Sequence, residues 1–209
     1  MADIFTLSAP ELGALLCSRV CHDIISPVGA INNGLELLDE GGADEDAMRL
    51  IRTSARNASA RLQFARIAFG AAGSAGMQLD TGDADAVATA LLANEKPALE
   101  WRGSRALLPK NKVKLLLNLV LIANGAIPRG GKLTVTLQDV ETEPKFTLSA
   151  SGPMVRVPPK FLELHSGARP EEPIDSHSVQ PYYTLLLARE AGMSISIRAT
   201  AEEIVLQAA

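Results

Sequence analysis

The residues best suited to chemistry lie together near the start of the chain, in the run Cys21-His22-Asp23-Ile24-Ile25-Ser26-Pro27-Val28. An imidazole on a helix and open to solvent serves as a nucleophile, a metal ligand or a plain surface group. Asp23, adjacent to His22, is placed to accept a hydrogen bond from one ring nitrogen. That bond would fix the tautomer and leave the other nitrogen's lone pair facing outward. Arg19, one helical turn earlier, could balance the charge of a phosphoryl group. Pro27 falls in mid-helix and cannot donate to the Asp23 carbonyl. It predicts a bend or loosening beside the histidine, at a cost of about 3 kcal/mol in a regular helix. With Gly29 and Gly34 nearby, the segment reads as a site that must bend. An ordinary surface histidine upstream of an incidental kink fits the same residues.

Two helices must position this histidine. In the first, apolar residues recur at helical spacing through Leu12, Leu16, Val20, Ile24, Val28, Ile31, Leu35 and Leu38. Ser8 and Glu11 have the spacing of a capping box at its start, and Gly41-Gly42 predicts its stop and a tight turn. His22 falls off the apolar stripe, on a wet face with Arg19, Ser26, Gly29, Asn33 and Glu36. The second helix opens on Asp44, Glu45 and Asp46, where the helix dipole favours acids. Its predicted stripe is Met48, Ile51, Ala55, Ala58, Leu62, Ala65 and Phe69, and the small residues from Gly70 to Gly76 read as a linker. Mirroring the hairpin about Gly41-Gly42 sets His22 level with about position 62 at roughly 1.5 Å rise per residue. Arg61 and Arg66, and less so Arg56, are then candidates to meet an acidic partner beside the histidine, although helix arginines are more often solvated.

A lone helical hairpin leaves an apolar stripe uncovered. Pairing with a second copy to form a four-helix bundle would cover it, as would packing on the rest of the same chain; the pattern favours the second copy. The chain is 209 residues long, 47% hydrophobic and 21% charged, enough for a substantial core. A formal net charge of −4 argues against a general nucleic-acid binder. Cys17 and Cys21 read as free thiols of a reducing compartment. The first residues lack the pattern of a secretory signal, and Leu115 to Ala123 is too short and too interrupted to span a membrane. A soluble cytoplasmic protein is expected.

From Met77 onward the texture becomes mixed α and β, predicting an α/β sandwich with helices on one face of a sheet. Residues Asp83 to Glu95 read as a helix capped by Asp83, Ala98 to Trp101 as a short strand, and Pro109 as the opening of a long apolar helix ending near Asn124-Gly125. Two strands are expected at Leu133 to Val140 and Lys145 to Ser151. Gly152 to Ser178 reads mainly as loop. A helix from Pro181 to Ala191, stopped by Gly192, and a hairpin of Met193 to Ala199 with Glu203 to Gln207 close the chain.

His22-Asp23-Ile24-Ile25-Ser26-Pro27 resembles the H-box of the dimerisation and phosphotransfer domain of sensor histidine kinases. The resemblance implies two domains, a dimerising helical hairpin over residues 1–73 and a Bergerat-like ATPase-type α/β domain over 77–209. The helix Leu115 to Ala123 resembles the N-box helix and keeps its first asparagine as Asn118, but Ile122 stands where the magnesium-binding asparagine belongs. In Ala150-Ser151-Gly152-Pro153-Met154, Ala150 replaces the adenine-reading aspartate and Met154 a glycine. The later lid glycines are missing near Val179-Gln180-Pro181-Tyr182. Adenine would lack its acceptor, Mg²⁺ its protein ligand and the phosphates their close backbone approach.

A phospho-acceptor histidine beside a defunct ATP site is similar to the ChpT-type bacterial histidine phosphotransferases, which also agree in the texture of Pro128-Arg129-Gly130-Gly131. That resemblance implies a shuttle in a two-component phosphorelay governing the cell cycle. A CckA-like hybrid kinase would give its receiver phosphoryl group to His22, which would pass it to CtrA-like and CpdR-like response regulators. Asp23 would tune the nucleophile, and Arg19, Ser26, Gly29, Asn33, Arg61 and Arg66 would form the docking surface. The chain would bind no cofactor, with Mg²⁺ coming from the receiver. An active histidine kinase with an atypical ATP site is the alternative. A metal site is a further rival, but Cys17-x-x-x-Cys21-His22 is one residue too long for c-type haem attachment. A structural zinc would need more ligands, and His165 and His177 lie in a distant loop.

Overall fold

The computed structural model describes residues 4–40, 45–70, 78–168 and 172–209. Helix α1 spans Ala9–Asp39 and begins as its residues dictate: the Ser8 hydroxyl accepts from the Glu11 N–H while the Glu11 carboxylate accepts from the Ser8 N–H. The helix runs through Pro27, which is buried, without a break. Helix α2 spans Glu45–Ala68 and packs along α1. The Gly41-Gly42 turn, Asp44 and the linker from residue 71 lie outside the described residues.

The buried face of α2 differs in part from the predicted stripe. Ala47, Ser54, Ala58, Phe64 and Ile67 of α2 are buried, whereas Met48, Ala55 and Leu62 of the predicted stripe are exposed. Gly34 explains this phase. A Cβ there would fall 2.6 Å from Ile51 Cγ1 and 3.3 Å from the Ala47 carbonyl oxygen, so α1 and α2 approach closely here and the missing Cβ makes room for the Ile51 side chain. Gly34 thus serves helix packing and not bending. Gly34→Leu is expected to destabilise the protein by about 1–3 kcal/mol through overpacking, measured by denaturant unfolding; an unchanged midpoint would contradict this packing.

The remaining elements, in chain order, are β1 (Gln78–Asp80), α3 (Thr81–Leu92), β2 (Pro97–Arg102), β3 (Leu107–Pro109), α4 (Lys110–Ala126), β4 (Gly131–Gln138), β5 (Lys145–Ser151), α5 (Pro159–His165), α6 (Val179–Ala191), β6 (Ile195–Ala199) and β7 (Glu203–Ala208). Strands β2-β4-β5-β7-β6 form one sheet, parallel only between β2 and β4, and β1 pairs with β3 in a small separate ladder. The register lines up buried side chains across the sheet as Leu133–Ala150–Ile204, Val135–Leu148–Leu206 and Leu137–Phe146–Ala208. Alternate residues point away, which is the strand period at work. Helix α4, buried along most of its length, fills the space against this apolar face together with α3 and α6. The expected α/β sandwich is present.

Several boundaries differ from expectation. Helix α3 is capped by Asp80, whose carboxylate accepts from the Gly82 N–H, and not by Asp83. Asp80 also pairs with Arg105; the Gly82 N–H first and the guanidinium second hold its carboxyl below the usual value. Strands β1 and β3 and helix α5 were not expected, the last lying within the predicted loop.

The base of the hairpin packs on the α/β part of the same chain. Leu12 and Leu16 of α1, and Phe64, Ile67 and Ala68 of α2, join the main core. The segment before α1 is pinned there as well: Leu7 N–H donates to the Tyr182 hydroxyl at 3.1 Å, Phe5 meets the Tyr182 ring edge-on, and Arg189 lies over Phe5. The distal half of the hairpin is not covered by its own chain. Ile25, Val28, Leu35, Leu37, Met48, Leu50 and Leu62 remain exposed.

Candidate active site

Helix α1 presents His22 outward, with 63% of its side chain exposed. The Asp23 carboxylate lies 3.6 Å from His22 Nδ1, too long for the expected hydrogen bond. Its other oxygen accepts from Arg19 Nε at 2.9 Å. Asp23 is therefore near the ring without holding it, and the Arg19 guanidinium is engaged with Asp23. Ser26 and Asn33 are exposed on the same face, and a Cβ at Gly29 would meet nothing within 4 Å, so this side of the helix is open to a large partner.

The mirrored register of the hairpin holds. Arg19 and Asp23 of α1 line a cavity of about 200 Å³ with Arg61 of α2, Glu95 beyond α3, Asn124 of α4 and Gln180 of α6. Arg61 was expected to await an acidic partner. Instead it donates to Glu95 at 2.8 Å and to Asn57 at 3.0 Å, bracing the hairpin against the α/β part. Arg66, in the last turn of α2, is exposed.

The segment leading into α6 reaches the same place. The His177 ring meets the His22 ring edge to face, with centroids 5.2 Å apart and planes at 80°. This corrects the expectation of a distant loop. The segment is held by Asp175, whose carboxylate accepts from the Ser178 hydroxyl and from the Ser178 and His177 N–H groups. The Ser178 hydroxyl, then the Ser178 N–H, keeps the Asp175 carboxyl below its ordinary value despite a small opposing effect of burial, with His177 adding less. His165 lies elsewhere, with Nε2 2.8 Å from the Ile195 carbonyl oxygen. Cys17 and Cys21 are free, exposed thiols. Among the described residues no three His, Cys, Asp or Glu side chains gather as a metal site.

The residues that resemble a nucleotide site have structural partners. Asn118 is fully buried; its amide donates to the carbonyls of Ala68 (3.1 Å) and Lys114 (2.9 Å). Gln180 donates to the backbone and side-chain oxygens of Asn118 and to the Thr184 hydroxyl. Ile122 and Ala150 sit in the core. A Cβ at Gly152 would strike the Gly130 carbonyl oxygen, so this glycine is required by the close approach of two backbone segments.

The site is thus an exposed histidine on a helical hairpin that is braced against an α/β sandwich. The family model of the histidine phosphotransferase C-terminal domain matches residues 81–203, and the chain belongs to the histidine phosphotransferase family. It is 76% identical over 203 residues to the protein phosphotransferase ChpT of Brucella abortus (strain 2308), covering 97% of each chain. A solved bacterial phosphotransferase is 74% identical, with 98% of each chain covered and a TM-score of 0.93.

Proposed function

We propose that this phosphotransferase relays a phosphoryl group through His22, from the receiver aspartate of a hybrid histidine kinase to receiver domains of response regulators, CckA-like on one side and CtrA-like or CpdR-like on the other. The observation that carries this reading is the exposure of His22 on a rigid helix, with Nδ1 turned toward Asp23 and Nε2 left to react. The Nε2 lone pair attacks phosphorus of the aspartyl phosphate. As the N–P bond forms, the P–O bond to the receiver carboxylate breaks and that carboxylate leaves with the electron pair. The imidazole keeps its Nδ1 proton, and the cation formed faces the Asp23 carboxylate. The reverse step loads the next receiver. Such a loose transition state needs placement and charge balance more than covalent assistance. The receiver supplies Mg²⁺. Arg19, Ser26, Gly29 and Asn33 form the docking face; Arg66 extends it, and Arg61 acts through its bond to Glu95.

In this reading the chain does not use ATP. The Asn118 amide is spent on the Ala68 and Lys114 carbonyls, and Ala150 brings no carboxylate. The test incubates the protein with labelled ATP and Mg²⁺, and separately with a receiver domain phosphorylated on its aspartate. Label is expected only from the receiver. Labelling from ATP alone would restore the kinase alternative.

The working unit is a homodimer built on a four-helix bundle, with residues 1–73 as the dimerising domain and 77–209 as the degenerate ATPase-like domain. Two rows support it: Cys21, Val28 and Leu35 with Ile25 on α1, and Met48, Ala55 and Leu62 on α2, each at seven-residue spacing and exposed. By length and composition alone α1 could cross a membrane. Its Arg19–Asp23 pair and its packing against α2 favour the bundle, and with it a cytoplasmic protein. Ile25→Glu is expected to weaken the dimer by about 2 kcal/mol or more per substituted side chain. Light scattering across a dilution series checks this; an unchanged dimer would remove Ile25 from the interface.

A further inference from the structure

The cavity, the exposed rows and the N-box remnant are all accounted for by the hairpin's bracing, its pairing or the fold, whereas His177 is not. Its ring is the second aromatic surface at the reacting centre, and it comes from the other end of the chain. Its mount is firm. Asp175 ties the segment through the Ser178 hydroxyl and two N–H groups, the Val179 N–H donates to the Asp175 carbonyl, and α6 follows with Val179 and Gln180 buried. Gln180 in turn bonds to Asn118, which bonds to the end of α2. His22, by contrast, stands on an open helix face with no hydrogen bond to Asp23. Without a ring against it, the imidazole would rotate among its staggered positions.

We infer that His177 is a positioning residue for phosphoryl transfer, holding the His22 imidazole edge to face so that Nε2 is presented along one direction to the incoming aspartyl phosphate. This rests on the reading of His22 as the phosphoryl acceptor. The α/β part thereby supplies a piece of the relay site, a use for the end of the chain that involves no nucleotide. His177 touches neither phosphorus nor the receiver carboxylate in this role; it acts through the His22 ring.

The experiment compares wild type, His177→Ala and His177→Phe in single-turnover transfer from a phosphorylated receiver over a range of receiver concentrations. The His22 ring resonances are followed by NMR on protein labelled at histidine. His177→Ala is expected to lower the rate at saturating receiver about tenfold, an order below the roughly hundredfold that a misplaced group can cost. It should also move the His22 ring resonances by removing a neighbouring ring current. His177→Phe keeps a ring edge without a titrating nitrogen and is expected to restore both the rate and the resonances toward wild type. An Ala variant with wild-type rate and unmoved resonances would overturn the proposal. So would equal losses in Ala and Phe, or an effect confined to the receiver concentration needed for half-saturation. Failure of the His22 reading looks different, since then wild type itself takes no label on His22.

Discussion

His22→Ala is expected to reduce phosphoryl transfer from a phosphorylated receiver to background, a loss of at least about a thousandfold, because the carrier atom itself is removed. The fold should be indifferent. The side chain is largely exposed and makes no hydrogen bond to Asp23, so stability should change by no more than about 0.5 kcal/mol. Matched unfolding curves with lost transfer would separate chemistry from folding. Retained transfer would place the phosphoryl group elsewhere on the chain.

The second large effect is structural and falls at Asn118. This side chain is fully buried, and its amide donates to the carbonyls of Ala68 and Lys114. Asn118→Asp would set a carboxylate against those two carbonyl oxygens, leaving only Gln180 as a donor. An uncompensated buried charge costs about 3–5 kcal/mol. At about 2–4 °C per kcal/mol for a chain of this size, thermal unfolding should fall by roughly 10 °C. The sign of the pH dependence follows from burial, which raises the introduced carboxyl's folded pKa above its unfolded value. The variant should therefore be least impaired at low pH and lose stability as pH rises through that folded value. A variant as stable as wild type at neutral pH would show that Asn118 does not clip the hairpin to the α/β part.

Much of this was legible in the residues. Ser8 and Glu11 announced the start of α1, the apolar alternation announced β4 and β5, and Gly192, with φ 64°, stops α6. The capped apolar helix with a wet histidine was enough to single out His22. What escaped was set by tertiary approach. Bulk suggested that Met48 and Leu62 would be buried, but the close approach at Gly34 turns Ala47 and Ile51 toward α1 and leaves Met48 and Leu62 outward. Arg61 looked available because nothing in its own helix foretold Glu95. Strands β1 and β3 are three residues each, and α5 is seven, too short to establish a period. His177 was invisible for the same reason: only the packing of α6 brings it against His22.

In the proposed relay a phosphoryl group lodges on His22. Its most direct test is mass spectrometry of peptides from protein freshly charged by a phosphorylated receiver and kept at alkaline pH, where a phosphoramidate survives. One acid-labile phosphoryl group per chain is expected, on the peptide that holds His22 and assigned by fragmentation to its imidazole. A phosphoryl group found on another residue, or none in protein that still passes label between receivers, would contradict it.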